Sequence, residues 1–396
     1  MNATPSNTNL SYIAPGATLG VMGGGQLGRM FVHAAQQMGY FTVVLDNDED
    51  SPAGSVSHYH IQSDYTSEAG LQELTQFCSA VTVEFENVPA QALQKLSEQI
   101  PVSPYAQAVA ICQDRATEKA MFRQSNIACA PHKIINNAAD LASVDSRLFP
   151  AILKTARMGY DGKGQATVNS ATELSFAWQT LGKVSCILEK KMPLAYEISV
   201  VVARGHDGQC INFPVQRNLH RNGILAVTEV SWDTNWLPPN IQKQAIDAAK
   251  QLAQSMHYIG VMCVEFFVLE NNTLIANEIA PRPHNSGHWT IDGCYCSQFE
   301  AQVRTLTGTP LADPGQHSSA VMLNLLGDLW FDKNDMPLAP PWQKVLALPG
   351  VHLHLYGKRQ ARKGRKMGHL TITATRLVNA KETALQAAEL LDIAPW

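Results

Sequence analysis

Long apolar runs, paired cysteines and a strong net charge are all missing from this sequence, and each absence excludes a class of protein. No apolar run approaches the roughly 20 residues that a membrane-spanning helix needs. Residues 1–12 lack both the basic start and the apolar segment of a signal peptide. The formal net charge of −4 gives no general attraction to nucleic acid or to an anionic membrane. We therefore expect a cytoplasmic protein without a nucleic-acid or membrane partner.

The cysteine pattern and the bulk composition are those of an ordinary globular chain. Eight cysteines occur without any C-x-x-C pair, and Cys263 lies in an apolar segment, which is typical of reduced, buried thiols in a cytosolic protein. With 396 residues, of which 45% are hydrophobic and 16% charged, the chain has room for two or three domains.

The first motif is a glycine-rich turn between a short strand and a helix. Gly23, Gly25 and Gly28 satisfy the pattern G-x-G-x-x-G, residues 29–38 are typical of a helix, and residues 41–46 predict a second strand that ends in an acid. Main-chain N–H groups at such a helix start can hold phosphate. The pattern predicts a Rossmann-type opening that binds a phosphate or nucleotide, and it does not single out NAD.

Polar side chains follow the next predicted strand, over residues 81–87. Glu84, Glu86 and Asn87 lie at its end. Because ligands of open α/β sheets gather at the carboxyl ends of the strands, these side chains are candidates for contact with a substrate. Polar residues in a surface loop would look the same, so this segment alone leaves both interpretations open.

A glycine-rich segment in the middle of the chain is typical of a lid over phosphates. An apolar strand ends in Lys154, a glycine loop follows, and a second strand begins near Gln165. The loop is not a Walker A motif, because no Gly-Lys-Ser/Thr opens a helix there. Lys154 and Lys163 would offset the charge of a phosphate, although a plain exposed hairpin is the alternative.

Further elements connect this segment to the most informative part of the chain. Residues 197–202 alternate as a strand does, and residues 241–256 predict an amphipathic helix. Between them we expect a loop over residues 217–223, in which His220 either contacts a ligand or is simply exposed.

Residues 264–288 carry the strongest chemical signal. They predict two strands joined by a polar turn. Counting outward from that turn places Glu265 opposite Glu278, with Cβ atoms about 5 Å apart on one face. The same count places Val268 opposite Ile275. Like charges so placed repel, and a divalent cation such as Mg²⁺ that bridges to phosphates removes the repulsion.

A group of donors suited to holding an anion follows the second strand, and it consists of Arg282, His284, Asn285 and His288. The two strands alone would be explained as well by an edge hairpin with two solvated glutamates. With these donors next to them, a site for metal and phosphate is the better interpretation.

After Gly308 and Pro310 the composition changes, which predicts a small third domain. Residues 351–356 and 370–374 are expected to pair as strands, and a helix is expected over residues 381–391. The basic loop between the strands (residues 357–366) carries Lys358, Arg359, Arg362, Lys363, Arg365 and Lys366. A solvated loop is the usual interpretation of such a run, a phosphate site is the sharper one, and an RNA contact fits the net charge poorly.

Five motifs occur in one unbroken order. They are Met-Gly-Gly-Gly-Gln-Leu-Gly near the start, Glu84-Phe-Glu-Asn, Gly159-Tyr-Asp-Gly-Lys-Gly-Gln, Asn218-Leu-His-Arg-Asn-Gly, and Asn277-Glu-Ile-Ala-Pro-Arg-Pro-His-Asn-Ser-Gly-His-Trp. Together they resemble the ATP-grasp carboxylate–amine ligases, and among these the 5-(carboxyamino)imidazole ribonucleotide synthases of purine biosynthesis. The last motif separates that family from other ATP-grasp enzymes, and the resemblance covers residues 20–375.

The resemblance implies an α/β chain with an ATP-grasp fold, preceded by a Rossmann-like N-terminal domain and followed by a small β-rich C-terminal domain. The expected bounds are 14–112, 113–306 and 307–396, with a lid subdomain at about 151–195. Membership of the family also suggests a homodimer.

The resemblance further implies which residues would contact each ligand. ATP would contact Arg115, Lys154, Gly159, Tyr160, Asp161, Gly162, Lys163, Gly164, Gln165, Glu189, Lys190, Lys191, Met192, Glu197, His220, Asn277 and Glu278. Glu265 and Glu278 would carry Mg²⁺, or Mn²⁺ in its place. The ribonucleotide would contact Gly25, Gln26, Leu27, Glu84, Asn87, Lys358 and Arg365.

The implied reaction is ATP-driven carboxylation of an amine by bicarbonate. The γ-phosphoryl group would pass to bicarbonate, and the resulting carboxyphosphate would release CO₂ to the amine of aminoimidazole ribonucleotide. By the same resemblance Arg282, His284 and Asn285 would hold the bicarbonate-derived anion, while Asp161 and Lys358 would position or deprotonate the amine.

Three other functions stay open. A formyl-transferring or biotin-carboxylating ATP-grasp ligase is disfavoured by the segment Arg-Pro-His-Asn-Ser-Gly-His. An NAD-dependent oxidoreductase would explain G-x-G-x-x-G, but it leaves Glu265 and Glu278 without a role. A non-catalytic nucleotide-binding regulator is not separated from an enzyme by the sequence, although every expected type of catalytic residue is present.

Overall fold

The computed structural model describes residues 12–159, 164–232 and 237–396, which form three sheets flanked by helices. None of the helices in those ranges is long and apolar enough to cross a membrane. The predicted lid residues Tyr160, Asp161, Gly162 and Lys163 lie outside the described residues.

The N-terminal sheet is parallel and buried on both faces. Its strands are β1 (Thr18–Met22), β2 (Phe41–Asp46), β3 (Tyr59–Gln62), β4 (Ala80–Val83) and β5 (Val102–Ser103), and its helices are α1 (Gln26–Gln37), α2 (Glu68–Phe77), α3 (Ala90–Ser97) and α4 (Ala106–Cys112). The strand order is β3-β2-β1-β4-β5. The order reverses between β1 and β4, which is where open α/β sheets bind ligands. The predicted Rossmann-like opening is confirmed.

A four-stranded antiparallel sheet follows. It contains β6 (His132–Ile135), β7 (Ala151–Thr155), β8 (Gln165–Val168) and β9 (Cys186–Lys190), with α5 (Arg115–Gln124), α6 (Ala138–Ala142) and α7 (Ala171–Thr180) around it. The order is β6-β9-β7-β8. Lys154 in β7 pairs with Gln165 in β8, so the predicted antiparallel strands on either side of the glycine loop are confirmed.

The largest sheet has nine strands, all in antiparallel pairs. They are β10 (Leu194–Arg204), β11 (Cys210–Asn212), β12 (Gln216–Arg221), β13 (Ile224–Val230), β14 (Gly260–Leu269), β15 (Leu274–Ala280), β16 (Ser319–Leu326), β17 (Val351–Leu355) and β18 (Lys366–Ala374). The order is β15-β14-β10-β12-β13-β16-β18-β17, and β11 pairs with β10. Its helices are α8 (Pro239–Ser255), α9 (Thr290–Gly293), α10 (Gln298–Thr307), α11 (Trp342–Val345) and α12 (Leu377–Leu390).

The expected loop over residues 217–223 is wrong, because most of it is strand β12. This strand pairs with β10 and β13, and Asn222 and Gly223 make the tight turn into β13 with positive φ angles of 52° and 78°. Two of the residues that point inward from β12, Gln216 and Asn218, are polar and buried. Without apolar residues at those positions the sequence shows no alternation that would predict a strand.

The C-terminal strands extend the same sheet instead of forming one of their own. β16 pairs with β13, and β18 and β17 follow outward from it. The predicted pairing of residues 351–356 with residues 370–374 is confirmed, and helix α12 begins earlier than expected. The domain bounds inferred from the sequence stay a prediction.

Candidate active site

One cleft of about 880 Å³ is lined by residues of the two antiparallel sheets, of helix α1, of the segment after β4 and of the basic loop. Most of the residues singled out by the sequence line it, namely Gln26, Leu27, Glu84, Asn87, Arg115, Lys154, Gly159, Gln165, Glu197, His220, Glu265, Asn277, Glu278, Arg282, His284, Asn285, Lys358 and Arg365. Residues that are far apart in the chain thus form a single candidate site.

Some predicted contacts lie beside the cleft and not in its wall: Gly25, Gly164, Glu189, Lys190, Lys191 and Met192. The carboxylate of Glu189 is buried between two ammonium groups, 2.6 Å from Lys154 and 3.0 Å from Lys119. Burial alone would raise the pKa of Glu189, but the two lysines hold it low, at about 2. Glu189 therefore holds Lys154 in the cleft wall, and its own contact with ATP stays a prediction.

The two carboxylates of the hairpin β14–β15 lie opposite each other, as predicted, because Glu265 pairs with Glu278. Closer to the turn the predicted register is wrong, since Val268 pairs with Leu274 and not with Ile275. One extra residue on β15 makes a β-bulge between the two parts of the ladder. That residue is the asparagine immediately before Glu278.

Helix α5 binds the main-chain groups around this bulge. The ammonium group of Lys119 donates to the carbonyl oxygen of Asn277 at 2.6 Å. The N–H of Ile279 donates to the carboxylate of Glu118, also at 2.6 Å. Both helix side chains are buried. The helix therefore clamps the strand on either side of residue 278.

Arg115 of this helix was predicted from the sequence as a site residue, whereas Glu118 and Lys119 were not. Arg115 pairs with the carboxylate of Glu278 at 3.0 Å, so the same helix holds that residue by its side chain as well. Residues three and four apart share one face of a helix. Charged residues at 115, 118 and 119, directly after the N-cap Asp114, were thus a readable sign that this face meets a charged partner.

The hairpin offers oxygen ligands that suit Mg²⁺. Glu265 and Glu278 supply carboxylates, and the side-chain oxygen of Asn277 is buried without a hydrogen-bond partner. Within the described ranges no group of three or more His, Cys, Asp or Glu side chains is arranged to hold a metal ion. Mg²⁺ commonly binds one or two carboxylates and completes its coordination shell with water and substrate phosphates. The donors of this hairpin suit such coordination.

Arg282, His284 and Asn285 meet at one end of the cleft. Arg282 forms an ion pair with Glu86, and Nε2 of His284 lies 3.0 Å from the carboxylate of Glu265. The side-chain amide of Asn285 is buried, and neither of its polar atoms has a partner. A buried amide without a partner beside two basic groups is suited to meet an anion. Glu86, a substrate candidate from the sequence, lines the same cleft and is the counter-ion of Arg282.

Two histidines that line the cleft have raised pKa values. Burial works against the imidazolium form of His284, but its contacts with Cys263 and Glu265 raise its pKa to about 10. Burial also lowers the pKa of His220, yet the hydrogen bond with Glu197 and the carboxylate of Glu265 outweigh it and raise the pKa. Phosphates or carboxylates that enter here would meet the protonated imidazole of His284 as well as lysine and arginine.

The glycine turn is braced by carboxylates. The N–H groups of Gly25 and Gly28 donate to the carboxylate of Glu84 at 2.9 and 3.1 Å, and the N–H of Gly24 donates to Asp46 at 2.7 Å. A Cβ atom at Gly25 would lie 2.7 Å from an oxygen of Glu84, so this close approach requires glycine. The carboxylates of Glu84 and Asp46 thus occupy N–H groups that the glycine pattern offers to phosphate, and the roles of Gly25 and Glu84 in binding the ribonucleotide stay a prediction.

The side chain of Gln26 nevertheless faces the cleft, next to the basic loop. Lys358 donates to the side-chain oxygen of Gln26 at 2.9 Å and to the main-chain oxygen of Lys366 at 2.7 Å. Arg365 lines the same wall, whereas Arg359 pairs with an aspartate and is not part of the lining. Five of the six cations of the loop therefore line the cleft, and Arg359 does not.

Family models match the three parts of the chain in order. Residues 16–113 match the ribonucleotide synthetase preATP-grasp domain, and residues 120–299 match the ATP-grasp domain. Residues 320–383 match the phosphoribosylaminoimidazole carboxylase C-terminal domain.

Whole proteins match over almost their entire length. An N5-carboxyaminoimidazole ribonucleotide synthase of Staphylococcus aureus (strain COL) is 40% identical over 384 residues, which cover 96% of this chain and 98% of that protein. The crystal structure of a Staphylococcus aureus N5-carboxyaminoimidazole synthetase with ADP has a TM-score of 0.87 at 37% identity and covers 96% of this chain and 99% of its own. An Aspergillus clavatus N5-carboxyaminoimidazole synthase with ADP and 5-aminoimidazole ribonucleotide has a TM-score of 0.85 at 30% identity and covers 95% and 98%. This chain belongs to the N5-carboxyaminoimidazole ribonucleotide synthase family of ATP-grasp enzymes.

Proposed function

We propose that this chain couples cleavage of ATP to carboxylation of 5-aminoimidazole ribonucleotide by bicarbonate in purine biosynthesis. The products are 5-(carboxyamino)imidazole ribonucleotide, ADP and phosphate. The observation that carries the proposal is the cleft, because Glu265, Lys154 and Arg282 all line one cavity. The relative from Aspergillus clavatus supports it, since its structure contains ADP together with 5-aminoimidazole ribonucleotide.

Transfer of the γ-phosphoryl group is the first step. An oxygen of bicarbonate attacks the γ-phosphorus while the bond from that phosphorus to ADP breaks, and carboxyphosphate forms. Lys154, held by Glu189, and Arg115, held by Glu278, are fixed cations that can stabilise the charge of this transition state. When bound at the hairpin carboxylates, Mg²⁺ would polarise phosphate oxygens as a Lewis acid.

Transfer of the carboxyl group follows. Carboxyphosphate breaks into CO₂ and phosphate. The amine nitrogen then forms a bond to the carbon of CO₂ while the electron pair of one C=O π bond moves to oxygen, and the nitrogen passes a proton to the released phosphate. Arg282, His284 and Asn285 are the groups that would keep the anion in place. Both carboxyphosphate and CO₂ would be lost to water in an open site, so a closed cleft is needed. Asp161 lies outside the described residues, and its role in handling the amine stays a prediction.

The ribonucleotide phosphate would lie against the basic loop. Lys358 and Arg365 face the cleft there, and a charge-assisted hydrogen bond to phosphate is stronger than a neutral one. Lys358 is also close enough to Gln26 to order the wall between the loop and helix α1.

Magnesium as the metal, a homodimer and a cytoplasmic location complete the proposal. The oxygen ligands of the hairpin support magnesium. All eight cysteines are free, which agrees with a reducing compartment. The homodimer rests on the family resemblance, and analytical ultracentrifugation would test it.

The decisive experiment measures ADP release. It should require Mg²⁺ and bicarbonate and should rise strongly when 5-aminoimidazole ribonucleotide is added, because a lid that closes only over the amine limits wasteful hydrolysis. Formate, biotin and glycinamide ribonucleotide should give no such rise. Stimulation by glycinamide ribonucleotide with formate would instead identify a different ligase, and reduction of NAD without ATP would refute a ligase altogether.

A further inference from the structure

Behind His284, on the side away from the cleft, a chain of hydrogen bonds runs into the nine-stranded sheet. Nδ1 of His284 lies 2.8 Å from Oγ of Ser286, and this oxygen lies 2.8 Å from Oγ of Ser199. Oγ of Ser199 in turn lies 2.9 Å from Oε1 of Gln216. Ser199, Gln216 and Ser286 have no exposed surface, so solvent does not compete for these bonds.

The far end of the chain fixes the direction of every bond in it. Nε2 of Gln216 lies 2.6 Å from the main-chain carbonyl oxygen of Pro214. A carbonyl oxygen only accepts hydrogen bonds, so the amide nitrogen must point toward it and the amide oxygen must face Ser199. The hydroxyl hydrogen of Ser199 is therefore donated to Gln216.

Each hydroxyl group has a single hydrogen, so the direction of one hydrogen bond fixes the direction of the next. Ser199 has donated its hydrogen to Gln216, and it accepts one from Nδ2 of Asn218 at 2.8 Å. In its contact with Ser286 it can only accept, which makes Ser286 the donor. Ser286 then has no hydrogen left for His284, so Nδ1 of His284 must donate to Ser286.

The opposite arrangement would be unfavourable. The main-chain N–H of Ser286 lies 3.3 Å from Nδ1 of His284, and a lone pair on Nδ1 could accept from it. That lone pair would also face a lone pair of the Ser286 hydroxyl at 2.8 Å, inside the buried network. A hydrogen on Nδ1 satisfies the shorter contact and leaves no pair of acceptors facing each other.

We propose that Ser199, Gln216 and Ser286 are positioning residues that keep a hydrogen on Nδ1 of His284, so that Nε2, which carries a hydrogen of its own, faces the cleft beside Glu265. With Nδ1 bound from behind, the ring cannot turn over, and His284 meets a bound anion through one defined nitrogen. The inference rests on the proposed function, because the anion in question is the bicarbonate-derived one.

Histidine labelled with ¹⁵N in the full-length protein tests the hydrogen position without any substrate. The wild type should show Nδ1 of His284 bonded to hydrogen, with the signal assigned by its loss in His284→Gln. In Ser199→Ala the Ser286 hydroxyl loses its acceptor and can donate to Nδ1, so the signal should shift or broaden by exchange. Ser319→Ala removes a buried serine of the same sheet that takes no part in these hydrogen bonds, and it should leave the Nδ1 signal unchanged.

Kinetics separate positioning from a general loss of stability. The KM for bicarbonate should rise roughly ten-fold in Ser199→Ala, the effect of one hydrogen bond to a group that meets an anion. The KM for ATP should stay as in Ser319→Ala. If Ser199→Ala does not fold, Gln216→Leu interrupts the series of hydrogen bonds one residue further from His284. It should give the same change in the Nδ1 signal and the same rise in the KM for bicarbonate.

The two hypotheses fail in different ways. The positioning role is overturned if Nδ1 of His284 carries no hydrogen in the wild type. It is also overturned if the folded variants Ser199→Ala and Gln216→Leu leave both the Nδ1 signal and the KM for bicarbonate unchanged. If the Nδ1 signal behaves as expected while the wild type releases no ADP in response to bicarbonate, the positioning role stands and the proposed function is refuted.

Discussion

The ammonium group of Lys119 lies 2.6 Å from the main-chain carbonyl oxygen of Asn277 and donates a hydrogen bond to it. Lys119 is buried, and its other partner is the carboxylate of Glu189 at 3.0 Å. Through Glu189 it is connected to Lys154, and through Asn277 to the bulge that precedes Glu278. One buried cation thereby links the carboxylate hairpin to the four-stranded sheet.

Replacing Lys119 with methionine should lower the free energy of unfolding by about 3–5 kcal/mol, because it leaves the carbonyl of Asn277 without its donor and removes one of the two ammonium groups beside the buried carboxylate of Glu189. Urea unfolding followed by circular dichroism measures the loss. Lys95 is the matched control, an exposed lysine that pairs with Glu68 at 2.6 Å. Lys95→Met should cost no more than about 1 kcal/mol. Equal losses in the two variants would contradict the structural role of Lys119.

Stability should depend on pH through Glu118. Burial raises the pKa of Glu118 to about 7, although Lys119 and Arg115 oppose the shift. A carboxyl group whose pKa is higher in the folded chain adds stability at low pH, and that stability is lost as the pH rises through about 7. Glu118→Gln stays neutral and keeps an acceptor for Ile279.

Calorimetry of the two proteins over a pH series checks this sign. The variant and the wild type should melt at similar temperatures near about pH 5. Near about pH 8.5 the variant should be the more stable, by on the order of 1–3 kcal/mol. A difference in melting temperature that does not change with pH would refute a raised pKa at Glu118.

Glu265→Gln and Glu278→Gln should each abolish ATP turnover and leave the fold intact. A Mg²⁺ site that loses one of its two carboxylates loses much of its stabilisation of the transition state. ADP release at increasing Mg²⁺ and circular dichroism measure the two effects. Glu270→Gln, at the exposed turn of the same hairpin, is the control and should behave as the wild type. Turnover at the wild-type rate with saturating Mg²⁺ in either cleft variant would end the metal assignment.

Removing the cleft-facing cations of the basic loop should affect one substrate and not the other. Lys358→Ala and Arg365→Ala should raise the KM for the ribonucleotide, since each charge-assisted hydrogen bond to phosphate contributes about 1.5–3 kcal/mol. The KM for ATP should hardly change. Arg359→Ala removes a cation of the same loop that does not line the cleft, and it should leave both constants alone. Weaker ATP binding in Lys358→Ala would mean that the loop serves the nucleotide.

Features set by local sequence were predictable in part. Alternation of side chains and a polar turn predicted a hairpin that carries Glu265 and Glu278. The predicted pairing of these two residues is correct because the bulge before Glu278 offsets the one-residue error in the register near the turn. The bulge at Asn277 was not predictable from the sequence. One extra residue leaves the composition of the strand unchanged, and the side chains beyond the bulge alternate between the two faces of the sheet in either register. Its position is set by the clamp from helix α5 and not by the hairpin itself.

Features set by packing between distant segments were missed. Glu84 and Gly25 are 59 positions apart, and nothing near either residue indicates that a carboxylate would take the N–H that the glycine pattern offers to phosphate. Strand β12 was missed for a related reason, since buried Gln216 and Asn218 are polar. Their partner Ser199 lies on the neighbouring strand, and only the folded sheet brings the three together.

The unbroken path from β13 to β16 decides how this protein can be shortened. Val227 to Val230 pair with Ala320 to Leu323, so a chain that ended before Ser319 would leave the N–H and C=O groups of β13 unpaired at a new sheet edge. Open edges of this kind attach to other chains. A fragment that kept every carboxylate of the hairpin would thus be prone to aggregate. The C-terminal strands therefore protect the edge of the sheet that carries these carboxylates.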